Sequence, residues 1–327
     1  MNTLVIRDIG LLELLDSHAG GRVVWTPQVE QLGLAIAEWM MLGLPGGAAY
    51  GQQRCGKSMA LTFLKRTMSE YVNVPTTVFL WNIGESLRPV PEPTLLRGFL
   101  SETGYMLTSH KDRSVLMTRL VHFIVQNCEA EAARRALILV DEAQNIHFSN
   151  YGVLIELFNL LERENCRPFI MLVGQPELAL VPETILDENK LHVYGRFFKK
   201  TMQFNGVDPK DFATILEGFD EESPRSDGTV LPPMSKALFP ERYEQGWRLS
   251  KMAEPMAEAL ERILSEHKVS AFRIPMQDLV SATRALVCRL HQQPSLFDSG
   301  LTANAVEAFK DGGLTRTLLS YARYQRR

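Results

Sequence analysis

Residues 51–58 read GQQRCGKS, and this stretch decides the fold. It matches the pattern Gly-x-x-x-x-Gly-Lys-Ser in full. A short apolar stretch at residues 48–50 precedes it, and apolar residues recur after it at helical spacing, namely Leu61, Leu64, Met68 and Tyr71. A glycine loop between a strand and a helix turns its backbone N–H groups inward, where they attract an anion. The sequence therefore predicts a loop that binds the phosphates of a nucleotide.

The predicted nucleotide contacts run through this loop and into the first helical turn. They are Gly51, Gln52, Gln53, Arg54, Cys55, Gly56, Lys57, Ser58 and Met59. We expect Lys57 to reach the β- and γ-phosphates of ATP and Ser58 to ligate Mg²⁺. No second cysteine accompanies Cys55 in the loop, which favours a packing role for this thiol over a redox role.

A second stretch, ALILVDEAQN at residues 136–145, is apolar until it reaches two consecutive acids. Such a run is typical of a buried parallel strand. We expect Asp141 to hold the Mg²⁺ shell and Glu142 to polarise the water that attacks the γ-phosphate. The adjacent glutamate favours hydrolysis over kinase-type transfer. The predicted activity is therefore hydrolysis of ATP to ADP and phosphate, with Mg²⁺ as cofactor.

Two further segments supply candidate catalytic side chains. In IMLVGQPEL (residues 170–178), Gln175 follows a buried strand and is a candidate sensor of the γ-phosphate, although a plain turn explains the same residues. In YGRFFKKT (residues 194–201), Arg196 is a candidate arginine finger that acts on the nucleotide of a neighbouring subunit. A solvated basic loop is the alternative interpretation of that segment.

The order of these segments predicts an α/β fold. Strand and helix patterns alternate up to about residue 204, which indicates a parallel sheet, and helical spacing dominates afterwards. We predict an N-terminal helical segment at 1–45, a nucleotide-binding domain at 46–207 and an α-helical lid domain at 208–327. A proline-rich loop or insertion is expected near 223–240, inside the helical part.

Composition narrows the class of protein and its location. The net charge of −3 excludes binding to nucleic acid through bulk positive charge alone, yet residues 284–327 carry seven bases and three acids, so a local basic patch is allowed. The four cysteines show no metal-site or disulfide-framework spacing. The longest nearly apolar run, residues 39–51, is too short to span a membrane. These features favour a cytoplasmic protein without a membrane partner.

The series of phosphate loop, LVDEAQN (139–145), LVGQPEL (172–178) and GRF (195–197) resembles the AAA+ ATPases of the bacterial TnsC/TniB and ExeA branch, and especially the transposition regulators of TnsC type. The resemblance implies an AAA+ core followed by a helical lid. It also implies a second sensor arginine after a Gly-Gly turn of the lid, which would be Arg316. A surface arginine is the alternative for that residue.

The resemblance further implies homo-oligomers, as rings or filaments, that form on double-stranded DNA with ATP and bridge a target-selection complex and the transposase. Such binding would use phosphate contacts with little reading of base sequence. The residues expected to face DNA lie between the second strand and the acidic strand: Lys111, Arg113, Thr118 and Arg119. A solvated helix face is the alternative interpretation of these residues.

Two other functions within the same class remain open from the sequence. One is an ExeA-type ATPase that works on a secretion or cell-envelope complex; this predicts a membrane span or peptidoglycan-binding extension. The other is a replication or clamp-loader-like ATPase that loads proteins on DNA. A helicase is disfavoured, because the tripeptide Ser281-Ala282-Thr283 lies 140 residues beyond Asp141, in a helical stripe.

Overall fold

Five parallel strands form the central sheet of the structure, a computed structural model that describes residues 24–86, 88–106, 108–224, 230–269 and 272–324. The strands are β1 (Gly46–Tyr50), β2 (Thr77–Asn82), β3 (Arg135–Asp141), β4 (Arg167–Gly174) and β5 (Thr201–Gln203). Their order across the sheet is β2-β3-β4-β1-β5. Because β4 pairs with both β1 and β3, the strand before the phosphate loop and the acidic strand end at the same edge of the sheet.

One helix precedes β1, and helices connect the strands, as parallel pairing requires. They are α1 (Pro27–Met41), α2 (Lys57–Val72), α3 (Glu92–Glu102), α4 (Arg113–Ala130), α5 (Tyr151–Arg163), α6 (Val181–Asp187) and α7 (Leu191–Phe197). The predicted helices around residues 93–101 and 113–127 correspond to α3 and α4. Short 3₁₀ turns follow β3 and β4, at Ala143–Asn145 and Pro176–Leu180.

The interior of the sheet explains the apolar run that precedes the two acids. Residues 136–140 of β3 have no exposed surface. Burial of each Leu or Ile there stabilises the fold by about 1.5–3 kcal/mol. On β2, the Trp81 ring stacks on Phe99 of α3, with ring centroids 4.5 Å apart. Both faces of β3 are covered, so polar residues do not alternate with apolar ones along it. Its sequence is therefore continuously hydrophobic.

The chain divides into two compact units. One contains Gln28–Gln53 and Lys57–Phe204, and the other contains the chain from Asn205 onwards together with Arg54–Gly56 and residues 24–27. The second unit has its own apolar core, to which Phe212, Leu260, Leu286 and Phe309 contribute fully buried side chains. Its helices are α8 (Phe212–Phe219), α9 (Met234–Leu238), α10 (Pro240–Glu244), α11 (Ala253–Glu266), α12 (Met276–Gln292), α13 (Leu301–Asp311) and α14 (Leu314–Tyr324).

The proline-rich stretch contains more regular structure than the sequence indicates. Two-residue strands, β6 (Ser223–Pro224) and β7 (Val230–Leu231), pair antiparallel, and α9 follows directly. Strands this short have no periodic hydrophobic pattern, so the sequence predicts only a loop there. The second unit is otherwise helical, as the sequence predicts.

None of the helices in the described part of the chain is both long enough and apolar enough to cross a membrane.

Candidate active site

The phosphate-loop sequence connects the end of β1 to the start of α2. Lys57 is the first residue of α2 and is only 6% exposed. Its ammonium group donates hydrogen bonds to the carbonyl oxygens of Gly51 and Gln52, each at 2.8 Å. A buried ammonium group must have such partners, because an unpaired buried charge is strongly unfavourable. The loop therefore closes around the lysine.

The remaining predicted nucleotide contacts surround this lysine in sequence. Gly56 has φ +98°, a conformation that side chains other than that of glycine rarely adopt, and it lets the chain turn directly into α2. Ser58 and Met59, in the first turn of the helix, are exposed. The exposed Ser58 hydroxyl at a helix N-terminus has the chemistry needed for a metal ligand beside a bound phosphate.

The acidic end of β3 has an unusual backbone conformation. Asp141 is 6% exposed, and one of its carboxylate oxygens accepts a hydrogen bond of 2.9 Å from the backbone N–H of Glu142. Glu142 has φ 53°, in the left-handed region that costs a non-glycine residue about 1–3 kcal/mol. The left-handed backbone changes the direction of the chain at Glu142, and the carboxylates of Asp141 and Glu142 have different hydrogen-bond partners. Asp141, as a buried oxygen ligand, fits the hard cation Mg²⁺.

Glu142 is held by two glutamine side chains. Gln144 Nε2 and Gln175 Nε2 both donate to Glu142 Oε2, at 2.6 and 3.1 Å. Among the described residues, Oε1 of Glu142 has no hydrogen-bond partner. This carboxylate is therefore oriented through one oxygen, while the other remains able to accept a proton from water.

Gln175 connects the acidic strand to the phosphate loop. Gln53 Nε2 donates to Gln175 Oε1 at 2.8 Å, so that Gln53, Gln175 and Glu142 form a continuous hydrogen-bonded chain. The pairing of β4 with both β1 and β3 produces this arrangement, since the end of β4 lies between the other two strand ends. The structure thus brings together Gln175 and Glu142. The role of Gln175 as a sensor of the γ-phosphate stays a prediction.

Gln144 is a site residue that the sequence reasoning missed. Its Oε1 accepts a hydrogen bond of 2.9 Å from the backbone N–H of Gln175, while its Nε2 binds Glu142. A Cβ atom at Gly174 would lie 2.5 Å from Gln144 Oε1, so any other residue there would displace the Gln144 amide from this position. The polar Gln-Asn pair that follows the acids was the available signal, but the contacts depend on strand register.

We expect Gln144→Ala to lower the rate of ATP hydrolysis about tenfold and to leave ATP affinity unchanged. The reason is that loss of the Gln144 amide frees Glu142 and Gln175 to adopt other orientations, at a cost of about 1–2 kcal/mol. Steady-state hydrolysis and equilibrium nucleotide binding would measure the two effects. Gln126→Ala, at an exposed position of α4, is the matched control. An unchanged rate in Gln144→Ala would remove the positioning role.

The two candidate arginines lie outside this network. Arg196 is on α7, where its guanidinium contacts the His192 carbonyl oxygen and Asn159 Oδ1 at 3.4 Å each. No carboxylate pairs with Arg196 among the described residues. Arg316 is exposed near the start of α14, directly after the Gly312-Gly313 turn. Their roles depend on a neighbouring subunit or on nucleotide and stay predictions.

The candidate DNA contacts lie at the N-terminal part of α4. Lys111 and Thr118 are exposed, whereas Arg113 forms ion pairs with Glu92 of α3 and Glu156 of α5. Hydrogen bonding to these carboxylates raises the pKa of the Arg113 guanidinium, and the same contact lowers the pKa of Glu156. The charge of Arg113 is thus compensated within the chain, and its contact with DNA stays untested.

Comparison with known proteins finds a similarity in the nucleotide-binding part. Residues 46–181 match the protein family described as an AAA domain. The fold is similar to that of the ORC2 protein of Aeropyrum pernix, solved as ADPNP–ADP complexes, with 16% identity and a TM-score of 0.55 over 87% of this chain and 66% of that chain. No curated protein matches the sequence.

Two further solved structures have lower scores. Cdc6p from Pyrobaculum aerophilum has 12% identity and a TM-score of 0.45 over 82% of this chain and 62% of that one. Domain III of the Thermotoga maritima replication initiation protein DnaA has 13% identity and a TM-score of 0.43, over 88% and 93%. The chain thus spans just under two thirds of the length of the ORC2 and Cdc6p chains. With its complete phosphate loop and acidic strand, the chain has the AAA+ P-loop ATPase fold, and its residues 46–181 match the AAA domain.

Proposed function

We propose that this protein is an AAA+ ATPase that oligomerises on double-stranded DNA with ATP and links target-site selection to a transposase. The observation that carries the ATPase part is the hydrogen-bonded chain of Gln53, Gln175 and Glu142, which joins the phosphate loop to a carboxylate with one open oxygen. The transposition part is supported by the resemblance of the motif series to the TnsC type. Both parts are testable separately.

ATP binding would use groups that the loop already holds in place. The Lys57 ammonium would exchange carbonyl contacts for the β- and γ-phosphate oxygens, and the loop N–H groups would surround the phosphates. Ser58 and Asp141 would hold Mg²⁺, which neutralises charge on the phosphate oxygens when bound. The first residues of α2 add the partial positive charge of a helix N-terminus.

Hydrolysis would depend on the oriented carboxylate. Oε1 of Glu142 would accept a proton from the attacking water, while Gln144 and Gln175 hold Oε2. Gln175 would report the state of the γ-phosphate to Glu142, since it contacts both that carboxylate and Gln53 of the loop. The positions of these amides are fixed by the ends of β3 and β4, so little reorientation is needed in the transition state.

Assembly would complete the site through arginines. Arg196 makes only long contacts within its own chain, which suits a side chain that turns towards the nucleotide of a neighbouring subunit. Arg316 would act as the second sensor, from the turn that begins α14. Loss of the γ-phosphate would then weaken subunit contacts, and hydrolysis would disassemble the oligomer.

DNA would contact the residues at and just before the N-terminal part of α4. The exposed Lys111 and Thr118 and the half-buried Arg119 would bind phosphates without reading bases. Arg113 would support this surface, because its ion pairs with Glu92 and Glu156 fix α4 against α3 and α5. Each protomer needs only a few such contacts, since an oligomer repeats them along the duplex. A weakly acidic chain is compatible with this mode of binding.

We expect the double substitution Lys111→Glu with Thr118→Glu to weaken ATP-dependent binding to duplex DNA at least about tenfold, because it adds negative charge beside the phosphates. The slope of log affinity against log salt concentration should also become shallower by about 1. Fluorescence anisotropy with a nonhydrolysable ATP analogue, at several salt concentrations, would measure both quantities. Both side chains are exposed, so the fold should tolerate the change.

Lys251→Glu, at an exposed lysine of the helical unit, serves as the charge control for this experiment. It should bind DNA as the unchanged protein does. If the double variant keeps its affinity and salt slope, the α4 surface is not the DNA contact. If the unchanged protein shows no ATP-dependent DNA binding under any of these conditions, the DNA part of the proposal is wrong, whichever residues are involved.

A replication-type loading ATPase is the second candidate, and the similarity of the fold to that of ORC2 is the observation that favours it. The two functions differ in what the ATP-bound assembly recruits. Negative-stain electron microscopy with duplex DNA would show whether extended oligomers form. Co-sedimentation with a purified transposase would support the first function, and stimulation of ring-protein loading without transposase binding would support the second.

A further inference from the structure

The thiols of Cys128 and Cys166 lie 3.8 Å apart in the buried part of the sheet unit. Cys128 is near the C-terminal end of α4, and Cys166 directly precedes β4, 38 residues later in the chain. A tight turn ends the helix before each strand, with Ala132 at φ 50° and Asn165 at φ 59°. Both turns lie where strands enter the sheet, opposite the edge that carries the acids, and this placement brings together two thiols that are distant in sequence.

The thiol pair adjoins an open cavity with positively charged walls. Cys166 lines a cavity of about 520 Å³ together with Arg134, Arg135, Glu162, Asn165 and Arg167. Three arginines and one glutamate thus line the cavity, and no ion pair involves these arginines among the described residues. Small reagents from solvent can enter this cavity, and positive charge near a thiol favours its thiolate form. Cys166 is therefore buried but borders a cavity that a small oxidant can enter.

The two thiols have different acidities because they are hydrogen-bonded to each other. The hydrogen bond with Cys166 lowers the pKa of the Cys128 thiol. The same hydrogen bond, together with burial, raises the pKa of Cys166. A pair in which one sulfur is the nucleophile and its neighbour carries the proton is suited to stepwise oxidation.

We propose that Cys128 and Cys166 are a redox-modification site that hydrogen peroxide converts to an intramolecular disulfide. The thiolate of the pair attacks one peroxide oxygen, the O–O bond breaks, and that cysteine becomes a sulfenic acid while the other oxygen leaves as hydroxide and is protonated to water. The sulfur of the second cysteine then attacks the sulfenic sulfur, its proton goes to the departing hydroxyl group, and a second water leaves as the S–S bond forms. Two thiols are oxidised, and one peroxide is reduced to two waters.

The disulfide would tie the end of α4 to the start of β4. The N-terminal part of α4 carries exposed polar side chains, and β4 ends next to Gln175, so the cross-link would restrain both elements from the opposite edge of the sheet. A dithiol reductant would reverse the bond by exchange. The inference uses only the sheet unit and does not depend on the proposed function.

Treatment of the full-length protein with a small excess of hydrogen peroxide tests the proposal. Thiol titration should show loss of two of the four thiols, and the intact mass should fall by two hydrogen atoms. Digestion without reduction should yield one cross-linked peptide that joins Cys128 to Cys166. Dithiothreitol should restore both thiols and the original mass. Because the unchanged protein is used, this result does not depend on whether a variant folds.

Two variants test whether the cross-link requires Cys128. They are Cys128→Ala and its matched control Cys288→Ala, at a buried cysteine of the helical unit. The control should lose the same two thiols as the unchanged protein, whereas Cys128→Ala should form no cross-linked peptide. Retention of all four thiols under peroxide would overturn the proposal. Gain of oxygen on Cys166 without any cross-link, or disulfides between chains only, would also overturn it.

Discussion

Replacement of Glu142 by glutamine is expected to lower the rate of ATP hydrolysis about 100-fold or more and to leave ATP affinity within about twofold of its original value. An amide has nearly the shape of the carboxylate but cannot accept a proton from water at neutral pH. The side chain would keep a hydrogen bond to Gln144 or Gln175 through its remaining carbonyl oxygen. The left-handed backbone at Glu142 should therefore persist. Single-turnover hydrolysis and a nucleotide-binding titration would separate the chemical step from binding.

Glu164→Gln, at an exposed glutamate beyond the end of α5, removes the same charge away from the strand ends and should hydrolyse ATP normally. If the protein assembles as proposed, Glu142→Gln should also prolong the lifetime of ATP-bound oligomers on DNA, because the step that disassembles them is blocked. Turnover in Glu142→Gln that equals that of the control would show that another group activates the water.

The parts of the site that can be predicted from the sequence are those that depend on residues within one segment of the chain. The phosphate loop needs only its own glycines, Lys57 and Ser58, and the acid pair needs only a buried strand before it. The parallel pairing of β3 and β4 also followed, because buried apolar strands favour parallel pairing, and parallel strands place their carboxyl ends at one edge. Fold class was predictable for the same reason.

The contacts that the sequence could not predict depend on tertiary register. Gln144 reaches Gln175 only because β3 and β4 are neighbours in the sheet. Arg113 seemed available for DNA, yet Glu92 and Glu156 come from helices 21 and 43 residues away in the chain. The sequence did not indicate the Cys128–Cys166 pair for the same reason, since a spacing of 38 residues matches no cysteine motif. Spacing rules detect neighbours along one element, whereas these pairs join different elements.

Lys57→Ala is expected to weaken ATP binding about 100-fold or more, to the point where hydrolysis is undetectable. A charged hydrogen bond contributes about 1.5–3 kcal/mol, and each 1.4 kcal/mol corresponds to a tenfold change in affinity, so loss of two phosphate contacts accounts for this magnitude. Lys57 is the buried cation around which the loop closes, so its removal also leaves the carbonyls of Gly51 and Gln52 without their donor. Isothermal titration with an ATP analogue and Mg²⁺ would measure the loss directly.

Two controls separate lost phosphate binding from a damaged loop. Lys65→Ala removes an exposed lysine of the same helix, α2, and should bind ATP normally. Lys57→Arg keeps the positive charge, but the planar guanidinium is larger and cannot place one ammonium between two carbonyls, so it should restore folding stability better than ATP binding. Thermal unfolding without nucleotide should show Lys57→Ala folded, with a Tm lowered by a few degrees. Tight ATP binding by Lys57→Ala would reject the assignment of residues 51–58 as the phosphate loop, because no other described cation is held by carbonyls at the end of β1.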